Sequence, residues 1–280
     1  MFKKKGPNFT FFRTLAFLIF IGMIFVFTIT YMYYNGAIYH PSKHSTCTSS
    51  VLGQQEKNTT FCDIAVIELP TEGGGIPPIL KHNIVSLIKS GAGKYVSIPR
   101  WKGGRTIPTQ TCMQQVPDLV HFYHRMTSVV SSHLGVLVTT TPLHLPTSCA
   151  ILVYEKEGDF INWHYDVNYY RGRFFTLLIP LFYYTNTNDI TLSTESSQGT
   201  DPNLYCTKFY YRDRDQNDIA IDILGRNSVL FEGEHVFHMA SRLCKNEKRA
   251  IISMQFVTDD SMGGFMARAL MRLKDIAYVG

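Results

Sequence analysis

Asn162-Trp163-His164-Tyr165-Asp166, followed about seventy residues later by Phe231-Glu232-Gly233-Glu234-His235-Val236-Phe237-His238 and then by Arg249, decides how the rest of this chain reads. A histidine and an aspartate two apart in an extended segment project to one face, because side chains alternate along a strand. They can grip one ion together. A second histidine from a distant strand completes two neutral imidazoles and one carboxylate, the facial set that leaves coordination positions open on a non-heme Fe(II). Two residues compete for that third place, His235 and His238, and their spacing to Arg249 is fourteen and eleven residues.

Around this stretch the chain turns from helices to strands. Pro78 to Lys89 carries apolar residues at 80, 84, 87 and 88 and stops before Gly91, which predicts a helix. A longer helix is expected from Pro117 to Leu134, with Leu119, Phe122, Tyr123, Met126, Val129, Val130 and Leu134 along one side and Gly135 ending it. Residues 94 to 112 read as a strand and an irregular loop around Gly103-Gly104. From Cys149 onward the pattern is extended: 149–154, 160–166, 174–184, 204–211, 219–223, 228–231, 235–240 and 249–257 make eight segments separated by turn residues. Eight strands suit two packed sheets or a closed barrel, and the lack of strand–helix alternation excludes a doubly wound fold. The expected class is mainly β with N-terminal helices. Ile64 to Leu69 adds one short edge strand.

In Arg249-Ala-Ile-Ile-Ser-Met-Gln-Phe256 the even positions Ala250, Ile252, Met254 and Phe256 form an apolar face. If that face packs on the helices, Arg249 points into the barrel, where a permanent charge is costly unless matched. A guanidinium there fits a ligand carboxylate through two parallel hydrogen bonds. Thr176 and Leu178 share a parity and would line the same cavity. Among the other histidines, His82, His121, His124, His133 and His144 read as surface or packing residues.

The first forty residues form a separate unit. Thr14 to Tyr34 is a run of 21 uncharged residues, enough to cross a hydrocarbon core of about 30 Å. Lys3, Lys4, Lys5 and Arg13 crowd its N-terminal side, so the positive-inside rule keeps residues 1–13 cytosolic and the remainder lumenal or extracellular. The run exceeds a signal-peptide core and no small-residue cleavage site follows, so it reads as an uncleaved signal-anchor of a single-pass type II protein. These four basic residues also explain the net charge of +5; without them 23 basic residues face 22 acidic ones, which excludes a concentrated nucleic-acid-binding face. Residues 35–75 make a polar stem with a glycosylation acceptor at Asn58, a domain follows over 76–260, and 261–280 reads as a basic amphipathic helix that packs on that domain, the alternative being that it lies on the membrane. All six cysteines lie beyond the span, in a compartment that permits disulfides; of the fifteen pairings six cysteines allow, Cys206 with Cys244 is attractive and Cys47 with Cys62 would close the stem.

At Tyr154, Gly158, His164, Asp166, Arg173-Phe-Phe-Thr176-Leu-Leu178, Phe231-Glu-Gly233, His238 and Arg249, over residues 76 to 258, the chain resembles the Fe(II)/2-oxoglutarate dioxygenases, in particular their prolyl 4-hydroxylase-like branch. The resemblance implies a double-stranded β-helix, or jelly-roll, core. It also implies Fe(II) on His164, Asp166 and His238, 2-oxoglutarate with its far carboxylate on Arg249 beside Tyr154, Thr176 and Leu178, and L-ascorbate as reductant. Tyr154 stands ten residues before His164 where nine is usual in the branch, and Thr185 to Pro202 is an insertion between the two halves of the site. An aspartate at 166 implies hydroxylation, since halogenating relatives have a small residue there. The implied activity is decarboxylation of 2-oxoglutarate coupled to hydroxylation of a C–H bond, with a prolyl residue of a peptide or protein as substrate. The alternatives are a lysyl, lipid or sugar substrate, or a barrel that serves as a non-catalytic interaction module.

Overall fold

The computed structural model describes residues 17–24, 26–27, 64–69, 75–185, 207–213, 215–221 and 227–262. The chain divides into two units, residues 1–40 and 41–280. In the first, residues 17–24 and 26–27 are helical, and their large apolar side chains are exposed, from 46% at Ile21 to 71% at Phe27. Among the described residues no helix is long and apolar enough to cross a membrane; the expected span at 14–34 runs past the described residues at both ends. Asn58, most of the stem, and residues 263–280 of the tail also lie outside them.

Among the described residues the second unit has helices α1 (Pro78–Lys89), α2 (Thr109–Gln115) and α3 (Pro117–Leu134) and twelve strands. The strands are β1 (Ile64–Glu68), β2 (Lys94–Ile98), β3 (Lys102–Ile107), β4 (Thr139–Thr140), β5 (Cys149–Tyr154), β6 (Phe160–His164), β7 (Phe174–Thr185), β8 (Phe209–Arg212), β9 (Asp218–Ile221), β10 (Asn227–Glu232), β11 (His238–Ala240) and β12 (Glu247–Val257). Prolines at the first helical position start α1 and α3, and Gly135 in the left-handed region (φ 67°) ends α3. The region 94–112 departs from expectation at α2. Its sequence TQTCMQQ has no apolar period, and its register is set by long-range bonds, with Thr109 N donating to the Pro146 carbonyl and Cys149 N to Thr109 Oγ1.

All strands pair antiparallel in the order β1-β10-β7-β12-β5-β3-β6-β11-β8-β9, with β2 on β3 and β4 on β12. A flat sheet would hold β10 and β11, six steps apart, at about 29 Å. Instead the rings of Phe231 on β10 and His238 on β11 are 4.6 Å apart. The sheet is therefore curled on itself, with an outer and an inner face. The outer face is the main core: Ile151, Val153, Leu177, Ile179, Ala250, Ile252, Met254 and Phe256 pack on Leu80, Ile84, Leu119, Phe122, Tyr123 and other residues of the helices. The even side of β12 thus faces the helices, as its alternation predicts. Tyr123 of α3 fastens the two layers, its ring 5.2 Å from Phe256 and its hydroxyl donating to the Gln255 carbonyl while Thr141 N donates to it. The inner face holds a second cluster, Leu178, Phe209, Ile221, Val229, Phe231, Val236 and Ile251.

Candidate metal centre

His164 ends β6 and His238 begins β11, and the two stand directly across from each other in the sheet. The register slips by one residue before His164, so Ile161 and His164 both lie on the inner side with Ala240 and His238. Asp166 follows past the strand end. One ligand atom from each of His164, Asp166 and His238 lies within 4.8 Å of the other two. The imidazole rings are 4.2 Å apart at 51°, and His164 Nε2 is 3.7 Å from Asp166 Oδ1.

Each histidine is oriented by its own backbone. His164 Nδ1 is 2.7 Å from the Asn162 carbonyl and His238 Nδ1 is 2.8 Å from the Val236 carbonyl. A carbonyl only accepts, so the proton sits on Nδ1 and the Nε2 lone pair is left for an ion. Burial holds the His238 pKa below its ordinary value, against the opposing pull of Asp166 and of the Val236 carbonyl. The ring is thus neutral, the form that binds metal.

Asp166 is placed by its neighbours rather than by strand pleating. Thr176 Oγ1 donates to its Oδ2 at 2.6 Å, and its backbone N–H donates to the Gly233 carbonyl at 2.9 Å. Gly233 in turn donates to the Phe174 carbonyl at 3.0 Å. A Cβ at 233 would meet Asp166 Cβ at 2.7 Å, so only glycine lets the β10–β11 turn come this close to the carboxylate.

Of the other residues singled out in the sequence, Arg249 is 4% exposed, and its Cζ stands 4.4 Å from the centroid of Tyr154, its cross-strand neighbour. Burial raises the Tyr154 pKa while Arg249 pulls it down. Ile251, on the Arg249 side of β12, joins Leu178 and Phe231 in the inner cluster, which makes that face continuous with the ring of His238. Thr176 and Leu178 share the inner face of β7, but the Thr176 hydroxyl is engaged by Asp166. Between the two candidate histidines, His238 joins the group; His235 turns to Glu232, with Nδ1 3.3 Å from Oε1.

Sequence reasoning passed over the ion pair behind this turn. Glu232 is fully buried, and Arg173 grips both its oxygens, Nε to Oε1 at 2.9 Å and Nη2 to Oε2 at 2.7 Å. Burial alone would raise the Glu232 pKa, but hydrogen bonds from Arg173 and His235 and the attraction of Arg173 bring it down to about 2. Glu232, Glu234 and His235 also lie close enough to hold an ion, but the Arg173 fork occupies the Glu232 oxygens. The sequence signal was the Glu of Phe231-Glu-Gly233, which the alternation of β10 sends to the face opposite Phe231. Lys102, a lysine only 3% exposed, was also missed. Cys244 is disulfide-bonded, with its partner outside the described residues, while Cys112 and Cys149 are buried free thiols.

Two nitrogens and a carboxylate oxygen on one side of an ion, with a buried cation on the continuous inner face, fit a divalent transition metal with an acidic co-ligand. No family model matches the chain. No curated protein matches it either. Solved structures do. A prolyl hydroxylase from Trichoplax adhaerens, in complex with a hypoxia inducible factor oxygen degradation domain peptide fragment, matches with a TM-score of 0.50 and 16% identity over 74% of this chain and 86% of that one. The non-heme alpha ketoglutarate dependent epimerase SnoN of nogalamycin biosynthesis matches with a TM-score of 0.50 and 8% identity over 73% and 81%. The chain therefore shares its fold with these two enzymes.

Proposed function

We propose that this chain is an Fe(II)- and 2-oxoglutarate-dependent dioxygenase that hydroxylates a C–H bond, with a prolyl residue of a peptide or protein as its substrate. The observation that carries the reading is the convergence of His164, Asp166 and His238, each imidazole holding its Nδ1 proton on a backbone carbonyl. The fold supports it. His164 Nε2, His238 Nε2 and an Asp166 oxygen would hold Fe(II), leaving the opposite positions for ligands. Bound Fe(II) supplies oxygen activation coupled to the decarboxylation of 2-oxoglutarate to succinate and CO₂.

The residues divide the remaining work. Thr176 fixes the rotamer of Asp166, and the carbonyls of residues 162 and 236 fix the two rings, so the ligand set is preorganised. Arg249 takes the far carboxylate of 2-oxoglutarate through its guanidinium fork. Tyr154, Leu178 and Ile251, all under 8% exposed, keep water from the hollow. The Trichoplax enzyme, solved with a peptide, supports a peptide substrate for this chain by analogy of fold alone. Ascorbate, implied by the resemblance, would restore iron oxidised off-cycle.

The protein is further read as a single-pass type II membrane protein anchored by residues 14–34, with residue 58 glycosylated and the domain in an endoplasmic reticulum or Golgi-type lumen. The uncharged run, the exposed apolar helix within it, and the disulfide at Cys244 support that placement. Protease protection in sealed microsomes and a glycosidase-sensitive mass shift lost in Asn58→Gln test it. For the activity, purified protein is given Fe(II), 2-oxoglutarate and proline-containing peptides, and succinate and hydroxyproline are measured. Both form together with wild type and neither with His164→Ala. Absence of Fe(II)-dependent 2-oxoglutarate turnover on any peptide or without one would refute the reading.

A further inference from the structure

His164 reaches the inner face because β6 bulges just before it. His238 of β11 stands across from His164 and Ala240 across from Ile161, so Asn162 and Trp163 together oppose the single Met239. A bulge of this kind re-aims the residue that follows it and takes its own backbone out of the ladder. On the other side of β6, the pairing with β3 joins Gly103 to Phe160 and Lys102 to Ile161 and goes no further. Asn162 is thus the residue where one ladder ends and the other slips. Its carbonyl is also the one that takes the His164 Nδ1 proton.

That carbonyl is held by the turn between β2 and β3. Asn162 N donates to the Trp101 carbonyl at 2.8 Å, and its side-chain Nδ2 donates to the Arg100 carbonyl at 2.9 Å. The turn runs Ile98-Pro99-Arg100-Trp101 and is closed by Trp101 N on the Ile98 carbonyl at 3.0 Å. Proline in the second place and a positive φ in the third make the type II pattern, whose third place favours glycine or asparagine. Here it holds Arg100, at φ 64°. A residue with a long side chain is strained in that region and stays there only when its surroundings fasten it. The Asn162 side chain is such a fastener, by its bond to the Arg100 carbonyl. His238 is oriented without one, because Val236, whose carbonyl serves it, is 4% exposed, packs in the inner cluster and donates its N–H to the Glu232 carbonyl.

We propose that Asn162 is a positioning residue for the metal centre: its side chain latches the strained β2–β3 turn, the turn fixes the Asn162 backbone, and the Asn162 carbonyl fixes the His164 ring. The aim of the first ligand is thereby set from an exposed turn outside the ligand set. This rests on the reading of His164, Asp166 and His238 as ligands.

The test titrates Mn(II) calorimetrically into the full chain in detergent, and records the Co(II) absorption spectrum and the Tm of the metal-free protein. Asn162→Ala releases the turn and weakens Mn(II) by about tenfold, the lower end of the loss expected when a group that orients a ligand is removed, and it shifts the Co(II) bands. The metal-free Tm moves by less than about 2 °C, since the bond lies at the surface. Arg100→Gly by itself leaves the affinity unchanged, because glycine adopts φ 64° without a latch. Added to Asn162→Ala, it restores the Mn(II) affinity to within about twofold of wild type and returns the Co(II) spectrum, a recovery that a general loss of stability would not show. Unchanged Mn(II) affinity and Co(II) spectrum in Asn162→Ala, or a loss that Arg100→Gly does not reverse, overturns the inference and leaves the metal centre standing. Wild type that binds neither ion overturns both.

Discussion

Gly233→Ala perturbs the centre through sterics alone. Its added Cβ would stand 2.7 Å from Asp166 Cβ, 3.0 Å from Asp166 Oδ2 and 3.0 Å from Phe174 Cδ1. Carbon atoms rest at about 3.5–4.0 Å, so one side must retreat by about 1 Å. Retreat is not available to Phe174, which is 1% exposed, nor to residue 233 itself, which is tied to Phe174 and Asp166 by backbone bonds of 3.0 and 2.9 Å. Asp166, 17% exposed at its side chain, gives way. Metal sites hold their ligands within about 0.2 Å, so a displacement several times larger removes the carboxylate from the set, and metal affinity falls by at least about tenfold. The strain itself costs about 1–3 kcal/mol, a fall in Tm of about 2–12 °C for a domain of this size. Mn(II) titration and thermal unfolding with and without metal measure the two effects. A Gly233→Ala protein that binds Mn(II) as wild type does and melts at the same temperature refutes the claim that this close approach positions Asp166.

Three further outcomes are expected. Thr176→Val removes the hydroxyl that holds Asp166 Oδ2 and weakens metal binding by about 10- to 100-fold with little change in Tm, read by the same titration. Glu232 has a folded pKa of about 2, below its ordinary 4.5, so its contribution is full above the unfolded value and disappears as pH falls from about 5 to about 2. It amounts to on the order of 3 kcal/mol, and urea unfolding across that range shows a steep loss in wild type that flattens in Glu232→Gln. Tyr123→Phe strips the buried Gln255 carbonyl and Thr141 amide of a partner and costs about 1–3 kcal/mol in the same unfolding assay at neutral pH, without affecting metal affinity.

Where the sequence was legible, local period and burial agreed. The apolar positions 80, 84, 87 and 88 that mark the first helix are all buried, and its bounds fall at Pro78 and Lys89 as the pattern predicts. The even face of β12 packs on the helices, which put Arg249 on the inner side. Long-range pairing was not legible. Nothing in TQTCMQQ marks α2, which Pro146 and Cys149 hold from a distance. The strand order, with β3 inserted between β5 and β6, follows from partners far apart in the chain. The alternation argument for His164 and Asp166 was right about their convergence and incomplete about its cause, because β6 ends at His164 and the aspartate is set by Thr176 and Gly233. Glu232 escaped notice because a buried charge is recognised by its partner, and Arg173 lies 59 residues from Glu232.

Metal analysis of the full chain after anaerobic dialysis against Fe(II) is the most direct test of the centre. A single ion per chain is expected in wild type and in His235→Ala, and none after His164→Ala, Asp166→Ala or His238→Ala. Iron absent from wild type, or retained when His164 or His238 is removed, contradicts the account.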